Sequence, residues 1–147
     1  MPSKGVSTTV ACLAAWIVPG GGHYYLGKRK RGLLFFGVVL ATFFLGLLNE
    51  GRSYLVDREQ PLSYLGTFAN VALGPLELLS RQFTFGQIAY ALPADPNDAQ
   101  GIRLLAAMRR KVMSVTDEYG TTYILAAGLM NILLVLDAFD ISIGRKA

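Results

Sequence analysis

Residues 32–49 read GLLFFGVVLATFFLGLLN, a run of 18 without proline and without Asp, Glu, Lys or Arg. A helix needs about 20 mostly apolar residues to cross a bilayer core, with a working range of roughly 17–25. The bulk of Phe35, Phe36, Phe43 and Phe44 suits lipid, so this stretch predicts a membrane span. Outward from it lie three more charge-free runs, 5–27, 60–76 (continuing past Glu77 to Ser80) and 119–136. Composition agrees: 52% of the 147 residues are hydrophobic and only 16% are charged, against roughly 25% in an ordinary soluble domain. The mean hydropathy is +0.40.

The expected fold class is therefore all-α: a polytopic α-helical membrane protein of about four spans. It forms one membrane domain over 1–147, with a helical hairpin at 6–49, a third span at 61–80 and a fourth at 119–140. The first span is the weakest, because Pro19-Gly20-Gly21-Gly22 interrupts it and such a stretch favours a turn. Residues 6–18 would make a helix about 20 Å long at 1.5 Å per residue. It either crosses with tilt and local thinning or enters part way. A signal peptide is disfavoured, since Lys4 is the only early base and no clear cleavage site follows. The third span opens on Pro61, a good first helical residue, and Gly74-Pro75 should kink it near its end. Thr116 is a fair N-cap for the fourth, and Asp117 and Glu118 suit its dipole.

The 81–118 segment carries a helix at about 96–115. Asp95 is the expected N-cap, followed by Pro96 and Asp98. Ile102, Leu104, Leu105, Met108, Val112, Met113 and Val115 fall in one arc, and Arg103, Arg110 and Lys111 in the opposite one. Arg109 is the exception on the apolar side. Such a helix fits a membrane surface with anionic headgroups, or it packs on the ends of the spans.

Orientation follows from Lys and Arg in short loops. With four spans, Lys28, Arg29, Lys30, Arg31 and the 81–118 segment share one side, which then holds nine bases against five. The expectation is a multi-pass protein of the inner (cytoplasmic) membrane, with loops 27–31 and 81–118 cytoplasmic and the termini outside. Lys28, Arg29, Lys30, Arg31, Arg103, Arg110 and Lys111 are the candidate headgroup contacts.

Pro19-Gly20-Gly21-Gly22-His23-Tyr24-Tyr25-Leu26-Gly27-Lys28, followed by Arg31-Gly32 and an apolar helix, resembles the TM2-domain family of small membrane proteins. Tyr24-Tyr25-Leu26-Gly27 and Gly32 match its pattern. His23 departs from the animal-type motif, and the match is closer to the looser bacterial form. The resemblance covers about residues 8–49. It implies a membrane hairpin and no common enzymatic activity. On physical grounds Pro19, Gly20, Gly21, Gly22, Tyr25 and Gly27 form a structural turn, with Tyr24, Tyr25 and Trp16 suited to the interface.

Polar residues inside the runs are few. Gly66, Asn70 and Gly74 share a face at spacing four, and Asn131 lies in the fourth run. Small residues allow close helix contact and a buried Asn bonds across helices. Glu77 precedes Arg81 by four residues, the favourable orientation for a helix ion pair. Asp137 and Asp140 stand near Arg145 and Lys146 and mark a membrane exit. His23 is the lone imidazole, either a hydrogen-bonding interface residue or a cofactor ligand.

One Cys (Cys12) and one His exclude a disulfide framework, a Cys-based zinc site and a His-rich metal centre. No catalytic motif and no base-reading motif is present, so neither an enzyme nor a nucleic-acid partner is expected. No cofactor is expected. The sequence points to a non-catalytic accessory or assembly subunit, packed against partner subunits in the bilayer. The rival readings are a small oligomeric transporter or channel, and a pigment- or haem-contacting subunit using His23.

Overall fold

Ser7 caps the first helix, α1 (Thr8–Ile17), its hydroxyl accepting from the Val10 N–H at 3.5 Å. The helix stops where Pro19 forces its predecessor out of the helical region: Val18 is extended, at φ −129° and ψ 114°. Gly20 follows at φ +79°, with Gly32 O only 2.2 Å from where a Cβ would stand, so a turn this tight admits glycine alone. The chain then reverses into α2 (Gly21–Tyr25) and rises into α3 (Arg29–Leu48). The computed structural model describes residues 7–92, 95, 97–112 and 115–146. Among these, the remaining helices are α4 (Leu62–Val71), α5 (Pro75–Phe85), α6 (Ala99–Val112) and α7 (Asp117–Ser142).

The 26-residue α7 is the axis on which the rest is hung. Helix α3 runs antiparallel to it, with Gly46 against Gly120 and Ile124. Val39 and Phe43 of α3, Leu73, and Ile124, Ala127 and Leu134 of α7 make the main core. Among the described residues, only α3 and α7 are long and apolar enough to cross a membrane.

The first and third runs do not form single long helices. Helix α1 lies antiparallel to the second half of α7. Ala11 is level with Ala138 through Gly22, and Trp16 is level with Asn131. Helix α2 then doubles back along α1, Gly21 lying by Ala14 and Gly22 by Ala11. The third run breaks at Ala72-Leu73-Gly74 rather than kinking. Gly74 sits at φ +63° and Pro75 starts a new helix. Helix α4 runs parallel to α7, Ala69 meeting Gly128 and Ala72 meeting Asn131. Helix α5 returns, Thr84 donating to Gly51 O at 3.4 Å. Two helical hairpins thus approach α7 from opposite ends and meet halfway along it.

This arrangement corrects the expected layout. Loop 27–31 and the 81–118 segment lie at opposite ends of α7, not on one side. Asp98, not Asp95, caps α6, its carboxylate accepting from the Gly101 N–H. Asp95 instead closes a turn by accepting from the Asn97 N–H at 2.9 Å. Pro96 lies outside the described residues, as do Lys4, Met113 and the side chains of Lys111 and Val112. The helix ends at Val112, and Val115 is exposed beyond it. Its apolar face packs on the protein: Leu104 and Ala107 are buried against Leu55 and Phe85, while Ile102 stays exposed.

Candidate functional site

The hairpin tips meet at Asn131. Its Nδ2 donates to Ala72 O at 2.7 Å and, at the outer limit, to Trp16 O at 3.5 Å. The Trp16 indole N–H donates to Val71 O at 3.2 Å. These are C-terminal carbonyls of α1 and α4, the groups a helix leaves without partners. The contact is possible because Gly128 carries no side chain, Ala69 O lying 2.0 Å from where its Cβ would be. Asn70 is also fully buried and accepts from the Tyr54 N–H at 3.0 Å. Gly66 gives the Tyr54 ring its place, at 2.6 Å from a notional Cβ.

A second polar cluster centres on Arg81, which is fully buried. Its Nε donates to Glu77 Oε1, its Nη1 to Ala89 O and its Nη2 to Tyr54 O at 3.0 Å. The guanidinium lies 4.1 Å from the Tyr90 ring centroid, and the Tyr90 hydroxyl donates to Glu77 Oε2 at 3.2 Å. Burial, then the Glu77 carboxylate, push the Tyr90 hydroxyl pKa above its ordinary value. The Ser53 and Ser80 hydroxyls bond each other at 2.8 Å alongside. One arginine therefore ties α5 to the extended strap 52–57 and to the 86–92 segment. The spacing of Glu77 and Arg81 is visible in the sequence. The parts played by Tyr90, Tyr54, Ser53 and Ser80 were missed, and no local signal marks them.

At the opposite end, His23 Nε2 meets Asp137 Oδ2 at 2.8 Å. Lys146 Nζ donates to Asp137 Oδ1 at 2.7 Å and lies 4.0 Å from Asp140, which is also 3.9 Å from Arg145. The bond to Asp137 raises the Lys146 ammonium pKa. His23 is fully buried, with the Phe35 ring edge-on at 4.9 Å. With Nε2 on Asp137 the imidazole ties α2 to α7, and its buried Nδ1 has no hydrogen-bond partner among the described residues. Among the described residues no group of three His, Cys, Asp or Glu could hold a metal. Of the turn residues, Pro19, Gly20 and Gly22 are buried, Gly21 is half-buried, and Tyr25 and Gly27 are exposed. Arg29 stacks 5.5 Å from the Tyr24 ring. Lys28 is half-exposed, and Lys30, Arg31, Arg103 and Arg110 are exposed.

Between the 52–57 strap, α4 and α7 lies a cavity of about 650 Å³. Its mouth holds Arg52, Asp57, Gln60, Ser63, Asp117 and Glu118. Its deeper wall is Leu65, Ala69, Leu125 and Leu129. Arg52 Nε is 3.3 Å from Asp117 Oδ2, and the Arg52 N–H donates to the Thr121 hydroxyl at 3.2 Å.

No curated protein and no solved structure matches this chain. A chain built on one long axis, with Pro/Gly-broken hairpins at residues 8–25 and 62–85, is thus placed by one comparison: over residues 10–147 it matches, and belongs to, a family of unknown function, DUF6677.

Proposed function

We propose that this is an integral protein of the cytoplasmic membrane, crossing it twice through α3 and α7. The α1–α2 and α4–α5 hairpins are re-entrant and meet at the midplane. In this reading it is a non-catalytic accessory or assembly subunit. The observation that carries the membrane assignment is the capped junction at Asn131. In hydrocarbon every backbone polar group needs an internal partner, and broken helices are tolerated only where protein supplies one. Asn131 supplies one to the Ala72 carbonyl, and the Trp16 indole adds a second donor to the Val71 carbonyl, which also accepts from the Gly74 N–H at 3.0 Å. Lengths agree: at 1.5 Å per residue α3 spans about 30 Å, the thickness of a hydrocarbon core. The exposed outer residues of α3 and α4 include Leu33, Leu34, Leu48, Leu62, Leu65 and Phe68.

Two crossings change the orientation. Lys28, Arg29, Lys30 and Arg31 share one end with Arg145 and Lys146, against Asp137 and Asp140 alone. The other end carries seven bases, Arg52, Arg58, Arg81, Arg103, Arg109, Arg110 and Lys111, but in the 68-residue connection 49–116, whereas the rule reads short loops such as the one that holds Lys28–Arg31. The positive-inside rule then makes the Lys28–Arg31 end cytoplasmic and puts α6 outside. The resemblance of residues 8–49 to a TM2 hairpin is compatible with this placement.

The non-catalytic part of the reading is supported by how the buried polar side chains are used. Asn131, Glu77, Arg81 and His23 all bond other parts of the chain. A transporter or channel module is the second reading, favoured by a cavity that runs from one end to the level of Leu129. A reporter active only outside the cytoplasm, fused after residues 30, 55, 98 and 146, tests the topology. Activity is expected at 55 and 98 only, and activity at 146 without 98 would restore four spans. Purification in mild detergent tests the role: stoichiometric partners support a subunit, and a homo-oligomer alone supports the transporter.

A further inference from the structure

We propose that the cavity between the strap, α4 and α7 is a binding site for a zwitterionic phospholipid with an ammonium headgroup, one acyl chain lying between α4 and α7. The inference rests on the membrane reading above. From Asp117 to Leu129 the cavity follows α7 for 12 residues, about 18 Å at 1.5 Å per residue. One leaflet of hydrocarbon is about 15 Å deep, so the site spans a single chain and its headgroup level. Its volume falls within the range of small-molecule sites.

Polarity changes along this depth as it does along a lipid. Charged and amide groups line the end nearest Asp117 together with Leu55, Phe85, Leu92 and Met108, and the far end is leucine, Leu125 and Leu129 on α7 with Leu62 and Leu65 on α4. The side between the two helices is open: Leu62 is 77% exposed, Leu65 66% and Leu129 49%. A chain can therefore enter sideways from the bilayer rather than through the mouth.

Charge selects the headgroup. Arg52 pairs through Nε with Asp117 at 3.3 Å and presents the outer edge of its planar guanidinium to a phosphate. Asp57, Asp117 and Glu118 outnumber it at the same mouth. An anionic headgroup would meet net repulsion there. A phosphate followed by an ammonium places its negative group on Arg52 and its positive group against Asp57 and Glu118. Asp57 is fixed for this by its turn, its Oδ1 accepting from the Glu59 N–H at 2.9 Å.

The test uses the full chain, delipidated in detergent and offered equimolar phosphatidylethanolamine and phosphatidylglycerol of matched chains. Retained lipid is read by native mass spectrometry. Wild type should retain the ethanolamine lipid several-fold over the glycerol lipid. Asp57→Asn with Glu118→Gln should bring the ratio to near one. Leu125→Trp, which fills the tail wall, should abolish retention of both. Leu129→Phe serves the same purpose should Leu125→Trp lose helical content by circular dichroism. Equal or reversed retention by wild type overturns the headgroup assignment, and retention unchanged by a folded cavity-filling variant overturns the site. Alkaline carbonate extraction of membranes separates the two levels. Extraction of the protein would sink the membrane reading itself, whereas an inserted protein indifferent to lipid headgroup sinks only this inference.

Discussion

Replacing Asn131 by Leu removes the one side chain that bonds both hairpin tips, while keeping nearly the same shape at the site. Two carbonyls lose a donor: Ala72 O, bonded at 2.7 Å, and Trp16 O, at 3.5 Å. The second is too long to count for much. An orphaned buried carbonyl costs about 1–3 kcal/mol in a water-soluble protein. Inside a bilayer the reference state also finds partners, and interhelical bonds there average about 0.6 kcal/mol, with a maximum near 1.7. The expected loss for Asn131→Leu is thus about 1–2 kcal/mol, near the upper end because the donated bond is short and the site is fully buried. Unfolding by SDS in mixed micelles measures it. Trp16 is the only tryptophan in the chain, and its indole sits at the junction, so its emission reports the tips directly. A lower SDS midpoint together with altered Trp16 emission is expected. An unchanged midpoint with unchanged emission would refute the claim that Asn131 holds the hairpins.

Gly20→Ala places a Cβ 2.2 Å from Gly32 O in a left-handed conformation, and strain of this kind costs about 1–3 kcal/mol; reduced yield and a lower melting temperature in detergent should follow. Arg81→Met should destabilise by about 3–5 kcal/mol, because it strands a buried carboxylate, and adding Glu77→Leu should recover part of the loss; a double mutant no better than Arg81→Met would argue against the pair. The Lys146–Asp137 bond raises the Lys146 pKa above its ordinary 10.5. Its contribution is therefore full below that value and disappears as pH rises through the raised one. An alkaline melt should show this step in wild type and lose it in Lys146→Met.

Long, uninterrupted apolar runs were legible from residues alone, which is why α3 and α7 were found close to their observed bounds. The broken runs were harder. Gly74-Pro75 signals a helix break equally well for a kink and for a reversal, because the local dihedral requirement is similar. What decides between them is distant: Trp16 on one side and Asn131 on the other, both remote in sequence from Ala72. The orientation has the same dependence: a count of bases by side requires the number of crossings first, and the two crossings proposed above place α6 at the other end from the four expected spans. For α6 itself the apolar arc was correct for Leu104 and Met108, yet periodicity does not say whether Phe85 or lipid receives it. Glu77 and Arg81 were visible as a pair four residues apart. Tyr90 and the Tyr54 carbonyl join them only through the fold, from 13 and 27 residues away.

The junction at Asn131 also has a consequence for biogenesis. Trp16 and Asn131 are 115 residues apart in the chain. At synthesis rates of roughly 5–20 residues per second, the N-terminal hairpin is made about 6–23 s before its stitching residue emerges. During that interval the Trp16 carbonyl lacks its Asn131 contact, while the Val18 carbonyl already accepts from the Gly21 N–H at 2.7 Å within the hairpin. On the proposed membrane reading, the seating of both hairpins on α7 is then the last step, after α7 has been made.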